Sequence, residues 1–330
     1  MKCFKILLSV MAVTLFAISS VFAKQAPLLP NSYNGQGVSA RSFAMGHAGA
    51  AMPGGYEGIF YNPATLGFCE ESGVRIEALV FPLRNTALEE MECLPYENIK
   101  RGLNSFFMAQ NQGALSWRTL SSYNFLKKNG DDYFKTDEHI NAITVTMANK
   151  NDSGISVGMN LSYLYGTILY SGVSDNKPIA EAYSGNGFTM DIGLLFPVSG
   201  NVFFGVNFEN IVGFMWWENY GHDQLPFGIR TGLGYVFGTF NFLVDYNKKF
   251  YRFGDLEEQF VNVGLEQYLT QYLAVRAGAV SPVKIYKEKV KYTYGAGINF
   301  SSFSLSVACE NFKINDENIV QYYTSLKVAF

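Results

Sequence analysis

Three histidines, three tryptophans and a scatter of arginines and carboxylates are the residues of this 330-residue chain whose types could do chemistry. His47, His139 and His222 stand far apart, and no cysteine or carboxylate accompanies them at metal-ligand spacing. No serine–histidine–acid motif or acidic pair surrounds them either, so neither a catalytic centre, a metal nor a cofactor is expected. The charged residues are more orderly. Arg118, Arg230, Arg276, Asp191, Asp245 and Glu266 each fall on the polar side of a run in which apolar and polar residues alternate. Such a set can anchor the carboxylate of a ligand, or it can pair across neighbouring strands and hold a structure together. A third group, Phe214, Met215, Trp216 and Trp217 in "IVGFMWWENYG", has the chemistry to capture an apolar molecule. It equally suits the aromatic girdle that marks a membrane interface.

The elements that must carry these residues are strands. In "SGISVGMNLSYLYG" Ile155, Val157, Met159, Leu161, Tyr163 and Tyr165 share one face, and Ser156, Gly158, Asn160 and Ser162 share the other. The same period of two recurs from about Ser72 to the carboxyl end, as a wall between lipid and water requires. The composition agrees, with 28 Phe, 21 Tyr and 32 Gly but only 16% charged residues, and no later run is apolar for long enough to be a membrane helix. Short turns at "PVSGN", "GT", "LTQ" and "SS" alternate with longer connections, among them 167 to 186 and 213 to 224, which orients the chain in an outer membrane. Counting turns backward from Phe330 demands a descending strand between Val74–Phe81 and Ala114–Phe125, and "LNSFFMAQ", residues 103 to 110, is the candidate. The expected fold is therefore an all-β antiparallel transmembrane barrel of about fourteen strands over residues 72–330. A soluble sandwich would leave open edges and apolar outer faces. The terminal strand, ending Tyr322, Thr324, Leu326, Val328 and Phe330 on one face, resembles the sorting signal read by the barrel-assembly machinery.

At the other end, Lys2 and Lys5, the apolar run Ile6 to Ile18 and Val21-Phe22-Ala23 read as a signal peptide over 1–23. Cleavage after Ala23 leaves 23 basic against 28 acidic residues, a formal charge of 23 − 28 = −5, which offers nucleic acid no footprint. Cys69 and Cys93 could pair in an oxidising periplasm, with Cys309 left over.

A bore of this width is not filled by its own side chains. The segment 24–71 precedes the first strand and is expected to fold back inside as a plug. Its glycines, including Gly46 and Gly49, permit tight turns, and Asn62-Pro63 favours an extended asparagine before a redirection. "ARSFAMGHAGAAMPGGYEGIFYNPATLGF" resembles the amino-terminal signature of the FadL-type outer-membrane transporters of long-chain fatty acids and other hydrophobic compounds, with Arg41, Ala44, Met45, Gly46, Ala48, Ala50 and Asn62-Pro63-Ala64 in matching places. "LPFGIRTGLGYVF", "FVNVGLEQYL", "LAVRAGA" and "YTYGAGINF" look more like a shorter, PorV-like branch. The resemblance implies a multi-pass barrel in the bacterial outer membrane that is not an enzyme. It also implies a fourteen-stranded wall, a plug that gates, and uptake of a hydrophobic ligand such as a long-chain fatty acid that leaves sideways into membrane lipid. The PorV-like branch implies an alternative, a shuttle that binds secreted proteins.

Overall fold

The computed structural model describes residues 39–69, 75–81, 96–97, 102–129, 132–174, 177–218, 221–251, 257–284, 290–314 and 317–330. The expected signal peptide and Cys93 lie outside these residues. Fourteen long strands follow one another in the chain: β1 (Arg75–Phe81), β3 (Gly102–Gln110), β4 (Gly113–Asn129), β5 (Asp132–Lys150), β6 (Ser156–Ser174), β7 (Lys177–Ser199), β8 (Val202–Trp217), β10 (Phe227–Phe237), β11 (Phe240–Phe250), β12 (Glu257–Tyr268), β13 (Leu273–Lys284), β14 (Lys291–Asn299), β15 (Phe303–Ile314) and β16 (Glu317–Ala329). Two short ones join them, β2 (Tyr96–Glu97) and β9 (Gly221–Gln224).

All neighbours pair antiparallel, and the sheet closes on itself. The last strand meets the first, Lys327 opposite Glu77, while β8 meets β10, Arg230 opposite Asn207. Closure removes the edges that would otherwise recruit other chains. The parity strand is present as β3, joined to β4 through Asn111 at φ 52. No described helix is long and apolar enough to cross a membrane; the strands do the crossing.

Alternation sorts the side chains. Leu233 (54% exposed), Tyr163 (51%) and Leu326 (48%) point outward, whereas Asp245 (0%), Glu266 (1%) and Thr293 (0%) point inward. A wall apolar outside and polar inside has its hydrophobic surface on the wrong side for water, and a bilayer is the solvent that covers it.

One expectation needs correcting. Residues 167 to 186 and 213 to 224 are not open loops: β6 and β7 pair continuously from Thr167↔Ser184 to Ser174↔Lys177, and β9 folds back onto β8 from Phe214↔Gln224 to Trp217↔Gly221. Serine, glycine and charged residues there break the apolar alternation without breaking the hydrogen-bond ladder, because a strand that has left the membrane no longer needs an apolar face.

Candidate functional site

Residues 39–69 pack against the inward face of the wall. Their local structure follows from capping. Ser39 and Ser42 close a capping box on the short helix α1 (Ala40–Ala44). Asn62, extended at φ −163, caps the 3-10 turn Pro63–Phe68 by accepting from the Ala64 amide at 3.0 Å, with proline at the first position. Between them Gly46 and His47 both adopt φ 59. Gly46 has no substitute there, since a Cβ would come within 2.6 Å of the Val263 carbonyl and 2.8 Å of the Ala279 amide.

Polar groups on the wall take up the backbone of this segment. The Gly46 amide donates to Thr293 Oγ1 (3.0 Å), which donates to the Ala44 carbonyl (3.0 Å). The Gly49 and Ala50 amides both donate to Asp245 Oδ2, at 2.8 and 2.9 Å. Asn62 Nδ2 donates to the Ala50 carbonyl (2.7 Å) and to the Leu194 carbonyl of β7 (2.9 Å). Ser156 Oγ donates to the Ala64 carbonyl at 2.7 Å, and Asn160 Nδ2 to the Ile59 carbonyl at 2.9 Å. Met45 is buried with Ala48, Met52 and Leu243, and the Phe43 ring stacks on Tyr323 at 3.6 Å.

Glycine lets the two backbones approach. Gly158 pairs with Gly193, Gly205 with Gly232 and Gly264 with Gly278. A Cβ on these would strike, respectively, Pro63, Asn62, Ala50 (twice), Met45 and Gly46. The inward face thus carries a belt of glycines at the level of the segment.

The expected charged residues come together inside, in two groups. Glu266 is the hub of the first. It accepts from Arg41 Nε at 2.8 Å and Nη2 at 2.6 Å, from its cross-strand partner Arg276 Nε at 2.7 Å, and from Asn241 Nδ2 at 2.7 Å. Arg41 also holds Glu57 of its own segment. Burial opposes the charge on Glu57, but the Arg41 guanidinium, aided by Lys327, overrides it and brings the carboxyl down to about 2. Burial likewise works against Arg41, and the two carboxylates more than compensate, raising it well above its ordinary value. At Tyr61 burial wins over the lowering influence of Ser42, Arg230 and Arg118 and pushes the hydroxyl up to about 12.

Arg230 is the centre of the second group. Its Nε meets Glu209 Oε1 at 3.1 Å, its Nη1 lies 3.7 Å from Asp245 Oδ2 and 3.4 Å from the His47 carbonyl, and its guanidinium sits 5.1 Å from the Tyr61 ring centroid. Nearby, Arg118 lies over the Phe60 ring at 5.1 Å, and Asp191 accepts from the Asn210 amide (2.8 Å) and from Asn160 (3.1 Å). Arg118, Asp191, Glu209 and Arg230 border a cavity of about 70 Å³ together with Leu120, Leu225 and Phe60.

The aromatic quartet is divided by the strand that carries it. Met215 (0% exposed) and Trp217 (5%) turn inward, packing with Leu120, Ile140, Ala142, Leu164 and Leu225, and Trp217 Nε1 donates to Asp223 Oδ2 at 2.7 Å. Trp216 (49%) turns outward and stacks with Phe214 and Phe188 at 6.1 and 5.8 Å. Alternation along the strand thus sends Met215 and Trp217 to the inner face and Phe214 and Trp216 to the outer one.

Sequence reasoning missed the glycine belt, Glu57 and the bonds from Asp245 to two amides. The belt has a signal, since its glycines share the phase of the polar residues; the bonds have none, because nothing in a strand names the loop that it will meet.

These features define a class: a closed fourteen-stranded transmembrane β-barrel with an amino-terminal segment docked on its inner wall. No protein-family model matches the chain, and no curated protein does. Solved structures do. The chain is similar to the Pseudomonas putida toluene transporter TodX (TM-score 0.64, 11% identity, 91% of this chain and 99% of that one). It is similar to the CymD monoaromatic hydrocarbon channel (0.62, 14%, 90% and 98%) and to a Pseudomonas aeruginosa FadL homologue (0.59, 10%, 89% and 98%). At these identities the likeness is one of fold, and the fold is that of the FadL-type barrels.

Proposed function

We propose that this protein is a bacterial outer-membrane channel for the uptake of hydrophobic small molecules, closed at rest by residues 24–71 acting as a plug. The observation that carries the reading is the docking of 39–69 on the inner wall through hydrogen bonds, ion pairs and backbone contact at glycines, alongside apolar contacts such as Phe43 with Tyr323 and Ile59 and Leu66 with Phe107. The polar contacts can be exchanged for water when the segment shifts, and the apolar ones keep it seated until it does. The similar structures are named for toluene, monoaromatic hydrocarbons and FadL, which supports a small apolar or acyl ligand, long-chain fatty acids included. Outward-facing Phe214 and Trp216 serve the membrane interface, and inward-facing Met215 and Trp217 serve the ligand. Asp191, Asp245, Glu266, Arg276 and Arg230 hold wall and plug together. Phe330 is the assembly signal.

The test is carriage of labelled oleate or toluene by protein reconstituted in liposomes. Saturable uptake, reduced severalfold by Trp217→Ala and not by Trp216→Ala, is expected. Absence of carriage for both compounds, together with co-purification of a secreted protein, would replace the channel by a shuttle.

A further inference from the structure

Phe60 stands where the segment 39–69 meets the cavity beside Arg118. Of the described residues that line this cavity it alone belongs to the segment, and the others, among them Arg118, Asp191, Glu209, Arg230 and Lys249, belong to the barrel. Charged and amide groups at this density keep a cavity wet. The other side of Phe60 is dry. Its half-buried ring meets the Phe107 ring edge-on at 6.2 Å, and the two pack with Ile59, Leu66, Ala109 and Ala114. The Arg118 guanidinium lies over the same ring at 5.1 Å, so a cation of the wet side holds it in place.

This boundary lies between the two ends of the barrel. Ala109 and Ala114 flank the turn that joins β3 to β4, and Ala109 is level with Ala329, one residue from the carboxyl end, through their common partner Arg75. Leu120 and Leu225, which also line the cavity, belong to the cluster that reaches Trp217 at the far end of β8. The backbone around Phe60 is fixed: Asn160 Nδ2 donates to the Ile59 carbonyl and Asn62 Nδ2 to the Leu194 carbonyl, both at 2.9 Å. That leaves the ring as the part that can turn while the segment stays docked.

Resting on the channel reading above, we infer that Phe60 is the specificity-determining residue of the pore: its ring, closed on Phe107, is an apolar gate that a hydrophobic solute passes and that water and ions do not. A hydrophobic solute that reaches the wet cavity gains by leaving it for the apolar seam behind the ring. An ion would lose its hydration there and find no partner among Phe107, Ile59 and Leu66, so a constriction of this kind is closed to it by dewetting. Selection rests on the polarity of one side chain, while the hydrogen bonds and ion pairs of the segment seat the plug.

Leucine and asparagine, nearly equal in size and opposite in polarity, separate this role from packing alone. With Phe60→Leu, planar bilayers should stay as quiet as with the intact protein, and the apolar dye N-phenyl-1-naphthylamine should enter cells that carry the protein in their outer membrane at least as fast. Phe60→Asn should conduct ions at least about tenfold more than Phe60→Leu and admit the dye more slowly, with 39–69 equally protected from chymotrypsin in both. If asparagine unseats the segment, Phe60→Val and Phe60→Thr repeat the comparison. Equal ionic conductance in the apolar and polar variants, with their segments still protected, overturns the inference. So does dye entry that depends on the protein but is the same in both variants, a result that leaves the channel reading intact. No protein-dependent dye entry in the intact protein or in any variant removes both.

Discussion

Arg41 joins the amino-terminal segment to the wall through an ion pair with Glu266, and its two acidic partners have unequal roles. Glu266 belongs to the wall and keeps Arg276 and Asn241 if Arg41 is lost; Arg41 keeps Glu57 if Glu266 is lost. Removing one member of a buried pair costs about 3–5 kcal/mol when the other is left uncompensated. Glu266→Gln leaves Arg276 without a carboxylate and Arg41 with one of its two, and Arg41→Met leaves buried Glu57 with only the influence of Lys327, so both should approach that range. Chymotrypsin cleavage after Phe43, Tyr56 or Tyr61 in the folded barrel measures the loss, with faster cutting in both variants than in the intact protein. Acid acts on the same junction through Glu57. Its carboxyl falls from an ordinary 4.5 to about 2 in the folded protein, so its contribution is complete above pH 4.5 and is lost as pH drops toward 2. Cleavage of the segment should stay flat from neutrality to about pH 4.5 and rise below it. A rise already complete by pH 5 would mean that Glu57 is not held by Arg41.

At the scale of elements, each strand's inner face is matched to the segment by what it omits. Gly205 and Gly278 face the Ala50 carbonyl and the Gly46 amide, so valine at either position should expel the segment while the strand, which favours β-branched residues, persists. Heat-modifiable migration should remain and protection of 39–69 from chymotrypsin should fall at least about tenfold; unchanged protection would show that the belt is not what admits the segment. The fourteen strands are legible in the amino-acid sequence, because alternation and turn parity act locally, and even β3 follows from counting. The inward phase of Arg118, Arg230, Arg276, Asp191, Asp245 and Glu266 is legible for the same reason. Partnership is not. Glu266 and Arg276 lie opposite one another by register, yet Arg41 reaches Glu266 from 225 residues away, and no period encodes that. The extended hairpin of β6 and β7 is equally hidden, because hydrophobic alternation reports the solvent of a strand, lipid or water, and falls silent where both faces are wet.

Taken as a whole molecule, the barrel faces opposite demands on its two surfaces, and the inner one sets its permeability. Leu233, Tyr163 and Leu326 fix the outside in lipid, while the inner wall of Asn, Ser, Thr and charged residues would hold water and ions wherever it is not covered. The segment 39–69 covers part of that wall, and under the proposed plug reading the channel rests shut and its ionic leak reports the position of the segment. In planar bilayers the intact protein should show rare, brief openings. Deletion of 39–69 should give a steady conductance, and Glu266→Gln should give intermediate, flickering openings, since its segment is still present but held less firmly. The order of the three is the informative result, because it ties permeability to the strength of one ion pair and not merely to the presence of chain in the bore. If the deletion variant folds, as judged by heat-modifiable migration, and is as silent as the intact protein, then the bore is sealed elsewhere. The packed cluster from Leu120 to Trp217 would be the barrier to test next, by Trp217→Ala in the deletion background.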